Sequence, residues 1–186
     1  MNVYDFDKTV FYPDSSACFL KFCLRHYPKA FRNEIGTIVS EFFRYAFTGD
    51  AGAEGIKEAL FSVLKYLPDV NRTVNDFWDE NFCRIQQWYL EKKREDDVII
   101  SASPDFLVRP AAEKLGVQLI ATPMCAQTGK IAGSNCHDAE KVRRFREIFP
   151  EGKIDAFYSD SLSDEPLAKL AGEAYLVKNG RLLPWP

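Results

Sequence analysis

From residue 96 onward, short apolar segments alternate with segments of helical periodicity, and each apolar segment ends in polar residues. The first apolar segment is residues 98–100, followed by the polar residues 101–104 and a helical pattern that ends at Gly116. The same order predicts later strands at 117–121, 154–158 and 174–177 and later helices at 138–149 and 167–171. Because alternating β and α units form a parallel sheet with helices on both faces, the sequence predicts an α/β fold.

Residues 14–95 have a different pattern, in which Phe, Tyr and Leu side chains recur at helical spacing. Four such stretches are separated by breaks at Pro28, residues 49–55 and Pro68. We therefore predict an α/β core formed by residues 1–13 and 96–186, with residues 14–95 inserted as an all-helical cap. The last helix of this insertion can pack on the core. Its aromatic stripes are typical of helix packing, and a helical module placed here can close over a site and exclude water.

Two carboxylates, Asp5 and Asp7, stand at the end of the first apolar segment. Side chains alternate along a strand, so these two would point to the same side, and a turn after Asp7 would let them diverge into one crevice. Like charges held this close raise each other's pKa unless a cation lies between them. The pair indicates a divalent-metal site, a carboxyl kept protonated for acid–base chemistry, or both.

Further polar residues fall near the carboxyl ends of the predicted strands, where ligands lie in parallel sheets. Ser101, Asp160 and Asp164 follow predicted strands, and Lys141 lies near the start of the basic helix predicted at 138–149. Taken alone, Ser101 or Asp160 is typical of a helix cap, and Lys141 can belong to a solvated basic face. Their joint order in one α/β chain is much harder to obtain by chance. It predicts one site shared with the two N-terminal carboxylates.

Composition excludes several classes of function. The net charge of -3 and the lack of a long basic run argue against a nucleic-acid-binding protein. No apolar stretch approaches the ~18 residues of a membrane span, and the basic-then-apolar order of a signal peptide is missing. We therefore expect a cytoplasmic protein without stable membrane insertion. Five cysteines without a C-x-x-C pair, and only two histidines, argue against a zinc site.

The candidate residues match four motifs of a known family in order. The motifs are supplied by Asp5-Phe6-Asp7-Lys8-Thr9, Ser101, Lys141, and Asp160 with Asp164. This pattern resembles the haloacid dehalogenase superfamily over the whole chain. The helical insertion after the first motif is similar to the cap of the phosphoserine-phosphatase-like branch (subfamily IB). Within that branch, the segments around the later motifs resemble a hydrolase subgroup that includes some bacterial phosphatidylglycerophosphate phosphatases.

The resemblance implies a Rossmann-like core and a Mg²⁺-dependent phosphatase that acts on a small phosphate ester. It implies metal ligation by Asp5, the main-chain carbonyl of Asp7 and Asp160, with Asp164 as a ligand or as support for one. Mg²⁺ suits such a site because it prefers oxygen ligands and needs few carboxylates.

The resemblance also implies catalytic roles. Asp5 would attack phosphorus to give an aspartyl-phosphate, and Asp7 would protonate the leaving group and later activate water. Phosphoryl oxygens would be held by Ser101, Ala102 and neighbouring amides, and by Lys141. Asp7 favours ester hydrolysis or phosphotransfer over dehalogenation, because a halide leaves without a proton.

The substrate is less constrained. In phosphoserine phosphatases, a Glu nine residues after the nucleophile helps to bind the substrate's ammonium. Here Asp14 holds that position, and it is equally suited to capping the next helix. Arg25, Arg32 and Arg44 are candidates for a second anionic group. The aromatic insertion leaves a lipid phosphate as an alternative substrate, and phosphotransfer or non-catalytic binding remain alternative functions.

Overall fold

The structure, a computed structural model, describes residues 1–48 and 53–186. Its strands form one sheet in the order β3-β2-β1-β4-β5-β6. Their bounds are β1 Val3–Tyr4, β2 Val98–Pro104, β3 Gln118–Thr122, β4 Ile154–Ser159, β5 Ala171–Lys178 and β6 Arg181–Pro184. Strands β1 to β5 are parallel to their neighbours, and β6 is antiparallel to β5. The α/β prediction is confirmed.

Helices occupy most of the chain between β1 and β2. They are α1 Ser15–His26, α2 Pro28–Thr48, α3 Ala53–Phe61, α4 Val70–Asn81 and α5 Gln87–Lys92, with 3-10 turns at Ser62–Tyr66 and Phe82–Arg84. The break predicted at 49–55 lies partly outside the described residues, and Gly55 belongs to α3. The division of the chain into a core and a cap stays a prediction.

The remaining helices follow the later strands. They are α6 Asp105–Leu115, α7 Ala139–Ile148 and α8 Glu165–Ala168, with a 3-10 turn at Leu162–Asp164. Helix α6 ends at Gly116, whose φ of 70° is the left-handed conformation that glycine adopts readily at helix ends. Among the described residues, none of the helices combines the length and apolar character that a bilayer crossing requires.

The central position of β1 determines where the site can form. Tyr4 pairs with Ile99 of β2 on one side and with Tyr158 of β4 on the other. The carboxyl ends of β1, β2 and β4 therefore lie side by side. This register brings the residues that follow Tyr4 and Tyr158 next to the last residues of β2.

Two predictions at the C-terminal end differ from the structure. The prediction of a helix at 167–171 was wrong at the C-terminal end. Helix α8 stops at Ala168, and Ala171 already pairs with Ile154 as a strand residue. Strand β6 was not predicted. It is joined to β5 by Asn179 and Gly180, which have φ angles of 51° and 75°. Positive φ at both positions is typical of the two-residue turn of a β-hairpin.

The insertion and the sheet share one hydrophobic cluster. Phe6, which follows β1, stacks edge-on against Trp78 of α4 with ring centroids 6.0 Å apart. The indole nitrogen of Trp78 donates to the main-chain oxygen of Leu107 in α6 at 2.7 Å. All three residues are at most 4% exposed. Helix α4 is therefore anchored on the sheet side by both apolar and polar contacts.

Three tyrosines stack across the middle of the sheet. The rings of Tyr4 and Tyr158 are 4.7 Å apart and nearly parallel, and those of Tyr158 and Tyr175 are 5.1 Å apart. They come from the neighbouring strands β1, β4 and β5, so the stack spans three strands. Aromatic cross-strand pairs of this kind stabilise a sheet.

Candidate active site

A cavity of roughly 370 Å³ opens at the carboxyl ends of β1, β2 and β4. Among the predicted site residues, it is lined by Asp5, Asp7, Asp14, Ala102, Lys141, Asp160 and Asp164. It is also lined by residues that were not predicted, namely Lys8, Ser16, Lys57, Ser103, His137, Ser161 and Ser163. The residues come from five separate parts of the chain, which the sheet order brings together.

Lys141 joins two of the carboxylates. Its Nζ lies 2.7 Å from Asp5 Oδ1 and 2.8 Å from Asp164 Oδ2, and the residue is only 2% exposed. Burial disfavours the charged ammonium, but the negative charges of Asp5 and Asp164 outweigh this effect and raise the pKa of Lys141. Ser159, a residue not predicted for the site, donates a further hydrogen bond to Asp164 Oδ2 at 2.7 Å.

Asp5 is a buried carboxyl with one positive neighbour. Burial raises the pKa of Asp5 to about 7, although the charge of Lys141 opposes the shift. Its main-chain N–H donates to Tyr158 O at 2.8 Å, which fixes the residue at the junction of β1 and β4. A second cation near Asp5 would therefore stabilise its ionised carboxylate.

Asp7 is held by the start of α1 and by the end of β2. Ser15 N donates to Asp7 Oδ1 and Ser103 Oγ donates to Asp7 Oδ2, both at 2.5 Å. Burial, followed by the negative charge of Asp14, raises the pKa of Asp7. Ser103 was missed by the sequence analysis. The available signal was its position two residues after Ser101, because side chains two apart in a regular strand point to the same side.

Ser101 lies within β2 rather than after it. It is fully buried, and its Oγ accepts the N–H of Ser103 at 3.0 Å. Ala102 and Ser103 are the β2 residues that line the cavity. The Ser101 side chain thus stabilises the backbone at the end of β2. Its contact with phosphate stays a prediction.

Asp14 makes the capping contact that the sequence suggested. Its Oδ1 accepts the N–H of Ala17 at 2.8 Å in the first turn of α1. The side chain also lines the cavity. The capping contact of Asp14 is observed, whereas its role in substrate binding stays a prediction.

The acidic residues can be tested for a fit to Mg²⁺. Within the described ranges 1–48 and 53–186, no three side chains of His, Cys, Asp or Glu form a ready-made metal cage. However, Asp164 Oδ1 is buried without a hydrogen-bond partner among the described residues. Burial also raises the pKa of Asp160, with Lys8 and Lys178 opposing the shift. An all-oxygen set with an unpaired buried oxygen fits Mg²⁺, which keeps several water ligands and uses one or two carboxylates.

A lysine of the insertion reaches this cavity. The Nζ of Lys57 in α3 donates to Ala102 O at 2.9 Å and to Asn135 Oδ1 at 2.5 Å. The arginines named from the sequence are placed differently: Arg25 pairs with Glu80, Arg44 pairs with Glu41, and Arg32 is exposed.

Comparisons with known proteins agree with this architecture. The family model of haloacid dehalogenase-like hydrolases matches residues 3–169. Protein CicA of Caulobacter vibrioides is 39% identical over 92 residues, which are 45% of this chain and 41% of that protein. A probable phosphatase of Mycobacterium tuberculosis is 34% identical over 95 residues, 46% of this chain and 33% of that protein. The matched segment therefore spans less than half of either relative.

Solved structures resemble the fold over nearly the whole chain. A crystal structure of a protein with unknown function from Bordetella pertussis Tohama I has a TM-score of 0.76 at 21% identity, covering 95% of this chain and 88% of that one. A phosphoserine phosphohydrolase-like protein of Francisella tularensis has a TM-score of 0.54 at 16% identity, covering 95% and 87%. These similarities confirm the predicted Rossmann-like fold with its helical insertion.

Proposed function

This chain belongs to the haloacid dehalogenase-like hydrolase family, and on that premise we propose that it is a Mg²⁺-dependent phosphatase of small organic phosphomonoesters. The observation that carries most weight is the contact of Lys141 with both Asp5 and Asp164 inside the cavity. This contact joins three of the motif regions in one place. Sequence similarity to a probable phosphatase, although it spans less than half of that protein, supports the same reaction class.

The proposed reaction has two steps. In the first, Asp5 attacks phosphorus, the bond from phosphorus to the ester oxygen breaks, and Asp7 gives its proton to the departing alkoxide. In the second, Asp7 takes a proton from water, the water oxygen bonds to phosphorus, and inorganic phosphate leaves Asp5. The raised pKa of Asp7 suits a residue that gives and regains a proton.

Positive charge at the site would offset the charge of the phosphate dianion. Lys141 is placed to balance both Asp5 and the phosphoryl group, and the amides near Ala102 would hold phosphoryl oxygens. Asp5, the main-chain carbonyl of Asp7, Asp160 and Asp164 would hold Mg²⁺, which when bound would neutralise phosphoryl oxygens. The unpaired Oδ1 of Asp164 supports this assignment.

The test is magnesium-dependent release of phosphate from p-nitrophenyl phosphate. We expect Asp5→Asn to lower kcat by a factor on the order of 10³ or more, because the nucleophile is lost. Removal of Mg²⁺ with EDTA should abolish the wild-type activity, and added Mg²⁺ should restore it. Asp76→Asn, a carboxylate change on the exposed side of α4, is the matched control. Equal rates for wild type and Asp5→Asn over a broad panel of phosphate esters would refute the proposal.

A lipid phosphate is a second candidate substrate, favoured by one face of α2. Ile35, Val39 and Phe42 are spaced along this helix and are 57%, 43% and 48% exposed. A helix with an apolar exposed face can lie at a membrane surface. Hydrolysis of phosphatidylglycerophosphate in vesicles at rates above those for water-soluble esters would favour this candidate, and loss of that preference in Phe42→Ser would link it to α2.

A further inference from the structure

We propose that Lys57 binds a second anionic group of the substrate, so that the natural substrate is a phosphate monoester that also carries a carboxylate or a second phosphate. This inference rests on the proposed phosphatase function and specifies its substrate class. The residue comes from the insertion, whereas Asp5, Asp7 and Lys141 come from the segments around the sheet. The insertion would thus recognise the part of the substrate that is not transferred.

The ammonium of Lys57 has neutral partners only. Its two hydrogen bonds go to the main-chain oxygen of Ala102 and to the amide oxygen of Asn135. Among the described residues, no carboxylate forms an ion pair with this nitrogen. An ammonium has three N–H groups, so one remains for a ligand in the cavity that Lys57 lines.

Lys57 and Lys141 differ in how their charge is balanced. Lys141 contacts two carboxylates, so its charge is already compensated within the protein. Lys57 is half-buried, and burial lowers the pKa of its ammonium, while the charges of Asp7, Glu54 and Asp14 act on it without direct contact. Binding of an anion would give this ammonium a directly paired opposite charge.

The position of Lys57 is fixed on both sides along α3. Glu54, three residues earlier, accepts the N–H of Asn135 at 2.9 Å. Glu58 accepts the N–H of Ile131 at 2.8 Å. These contacts attach α3 to the segment before α7, and the ammonium is held in place before a ligand arrives. A cation fixed in advance loses little conformational freedom on binding.

The surroundings also indicate which part of the substrate Lys57 would meet. Lys57 Nζ bonds to the main-chain oxygen of Ala102. The next residue, Ser103, bonds to Asp7, which is proposed to protonate the leaving group. The phosphoryl group itself would lie beside Asp5 and Lys141, which contact each other. A second anion at Lys57 therefore belongs to the leaving group, within a few bonds of the ester oxygen.

The experiment compares three short alkyl phosphate esters that differ in the group at the far end of the chain. Phosphoglycolate carries a carboxylate, 1,3-propanediol bisphosphate carries a second phosphate, and 2-hydroxyethyl phosphate carries a neutral hydroxyl. We expect wild type to prefer one of the two anionic esters over the neutral one by about 10- to 100-fold in kcat/KM, the range of a charged hydrogen bond. The preferred ester then identifies the second anion.

Lys57→Met should remove this preference. We expect kcat/KM for the preferred ester to fall about 10- to 100-fold, mostly through KM, and that for 2-hydroxyethyl phosphate to change by less than about threefold. Lys57→Gln keeps a donor for Ala102 or Asn135 without the charge, and it should give the same result if Lys57→Met folds poorly. Lys57→Arg should retain part of the preference. Lys65→Met, in which the lost lysine pairs with Glu34 outside this cavity, is the matched control.

Three outcomes would overturn the inference. An equal loss for all three esters in Lys57→Met would show that the lysine acts on the phosphoryl group they share. An unchanged preference in Lys57→Met and Lys57→Gln would show that another residue recognises the anion. Lack of phosphate release by wild type from every ester, p-nitrophenyl phosphate included, would refute the proposed function together with this inference.

Discussion

Ser103 places the carboxyl of Asp7 between the sheet and the insertion. Its hydroxyl lies 2.5 Å from Asp7 Oδ2 and 2.8 Å from the hydroxyl of Ser16 in α1. It is 5% exposed, so solvent cannot easily replace these contacts. Because Asp7 is proposed to protonate the leaving group, we assign Ser103 as a positioning residue for that proton transfer.

Replacing Ser103 should impair only the reactions that need a proton donor. In Ser103→Ala, we expect kcat/KM for an alkyl phosphate to fall by about 10- to 100-fold, a part of what general acid catalysis supplies. The value for 2,4-dinitrophenyl phosphate should stay within about threefold, because dinitrophenolate leaves without a proton. Ser103→Thr keeps the hydroxyl and should restore most of the activity. An equal loss for both esters would indicate a structural role instead.

Lys141 should matter for stability as well as for activity. In Lys141→Met, the buried carboxylates of Asp5 and Asp164 lose their shared cation. Breaking a buried ion pair from one side costs about 3–5 kcal/mol, so urea unfolding should show a fall of this size in the free energy of unfolding. Lys169→Met removes an exposed pair with Glu165 and should cost less than about 1 kcal/mol. Similar values for the two variants would contradict the reading of Lys141 as a buried charge.

The sequence predicted the positions of several site residues but not all of their neighbours. Lys141 contacts both Asp5 and Asp164. The two aspartates follow strands, whereas Lys141 lies near the start of α7, as the sequence pattern indicated. Lys57 gave no local signal, because its place in the cavity depends on how α3 packs against residues 131–135. Ser103 did give a signal, its position two residues after Ser101. That signal was overlooked because residues 101–104 were interpreted as the turn and cap before a helix. The catalytic and ligand roles of these residues stay predictions.

At the scale of elements, the contact between the insertion and the loop after β3 depends on Gly129. Its φ is 71°, and a Cβ added there would overlap the main-chain oxygen of Phe61 at the end of α3. Backbone atoms cannot yield as a flexible side chain can. The close approach of the two segments therefore requires glycine.

Gly129→Ala should loosen this contact. We expect a loss of about 2–5 kcal/mol in the free energy of unfolding, from backbone strain and steric overlap together. Gly116→Ala is the matched control, because Gly116 has a similar φ of 70° with no atom within 4 Å of the added Cβ. It should cost only about 1–2 kcal/mol. Equal costs in thermal or urea unfolding would mean that the overlap with Phe61 is relieved without penalty.

The strands were predicted correctly where the apolar segments were long. The strand whose position depends on a tight turn, β6, was not predicted. The central strands were identified from runs such as 98–100, whose residues are buried on both faces of the sheet. Strand β6 has mostly exposed residues and little periodic signal. The Asn179–Gly180 dipeptide was the available clue, since both residues adopt the positive φ of a hairpin turn.

For the whole molecule, the shared hydrophobic cluster links the stability of the insertion to that of the sheet. Phe6, Trp78 and Leu107 belong to one buried cluster although they lie in three different parts of the chain. Residues 14–95 as an isolated fragment would lose these contacts. We expect the chain to unfold as one cooperative unit.

Cooperative unfolding can be tested with two optical signals. In a Trp185→Phe variant, tryptophan fluorescence reports only on Trp78 and Trp88 of the insertion, whereas far-UV circular dichroism reports on the entire fold. We expect both urea transitions to have the same midpoint. A fluorescence transition at clearly lower urea would show that the insertion unfolds first. The predicted division into core and cap was based on periodicity, which carries no information about how strongly the two parts are coupled.

The stack of Tyr4, Tyr158 and Tyr175 has a practical consequence. Parallel rings 4.7 and 5.1 Å apart couple their electronic transitions, so the native sheet should give a distinct near-ultraviolet circular dichroism band. Tyr4 immediately precedes Asp5, and Tyr158 lies two residues before Asp160. A shift in these strands on ligand binding would change the overlap of the rings. The protein therefore contains its own label-free spectroscopic probe for following a titration with metal or phosphate esters.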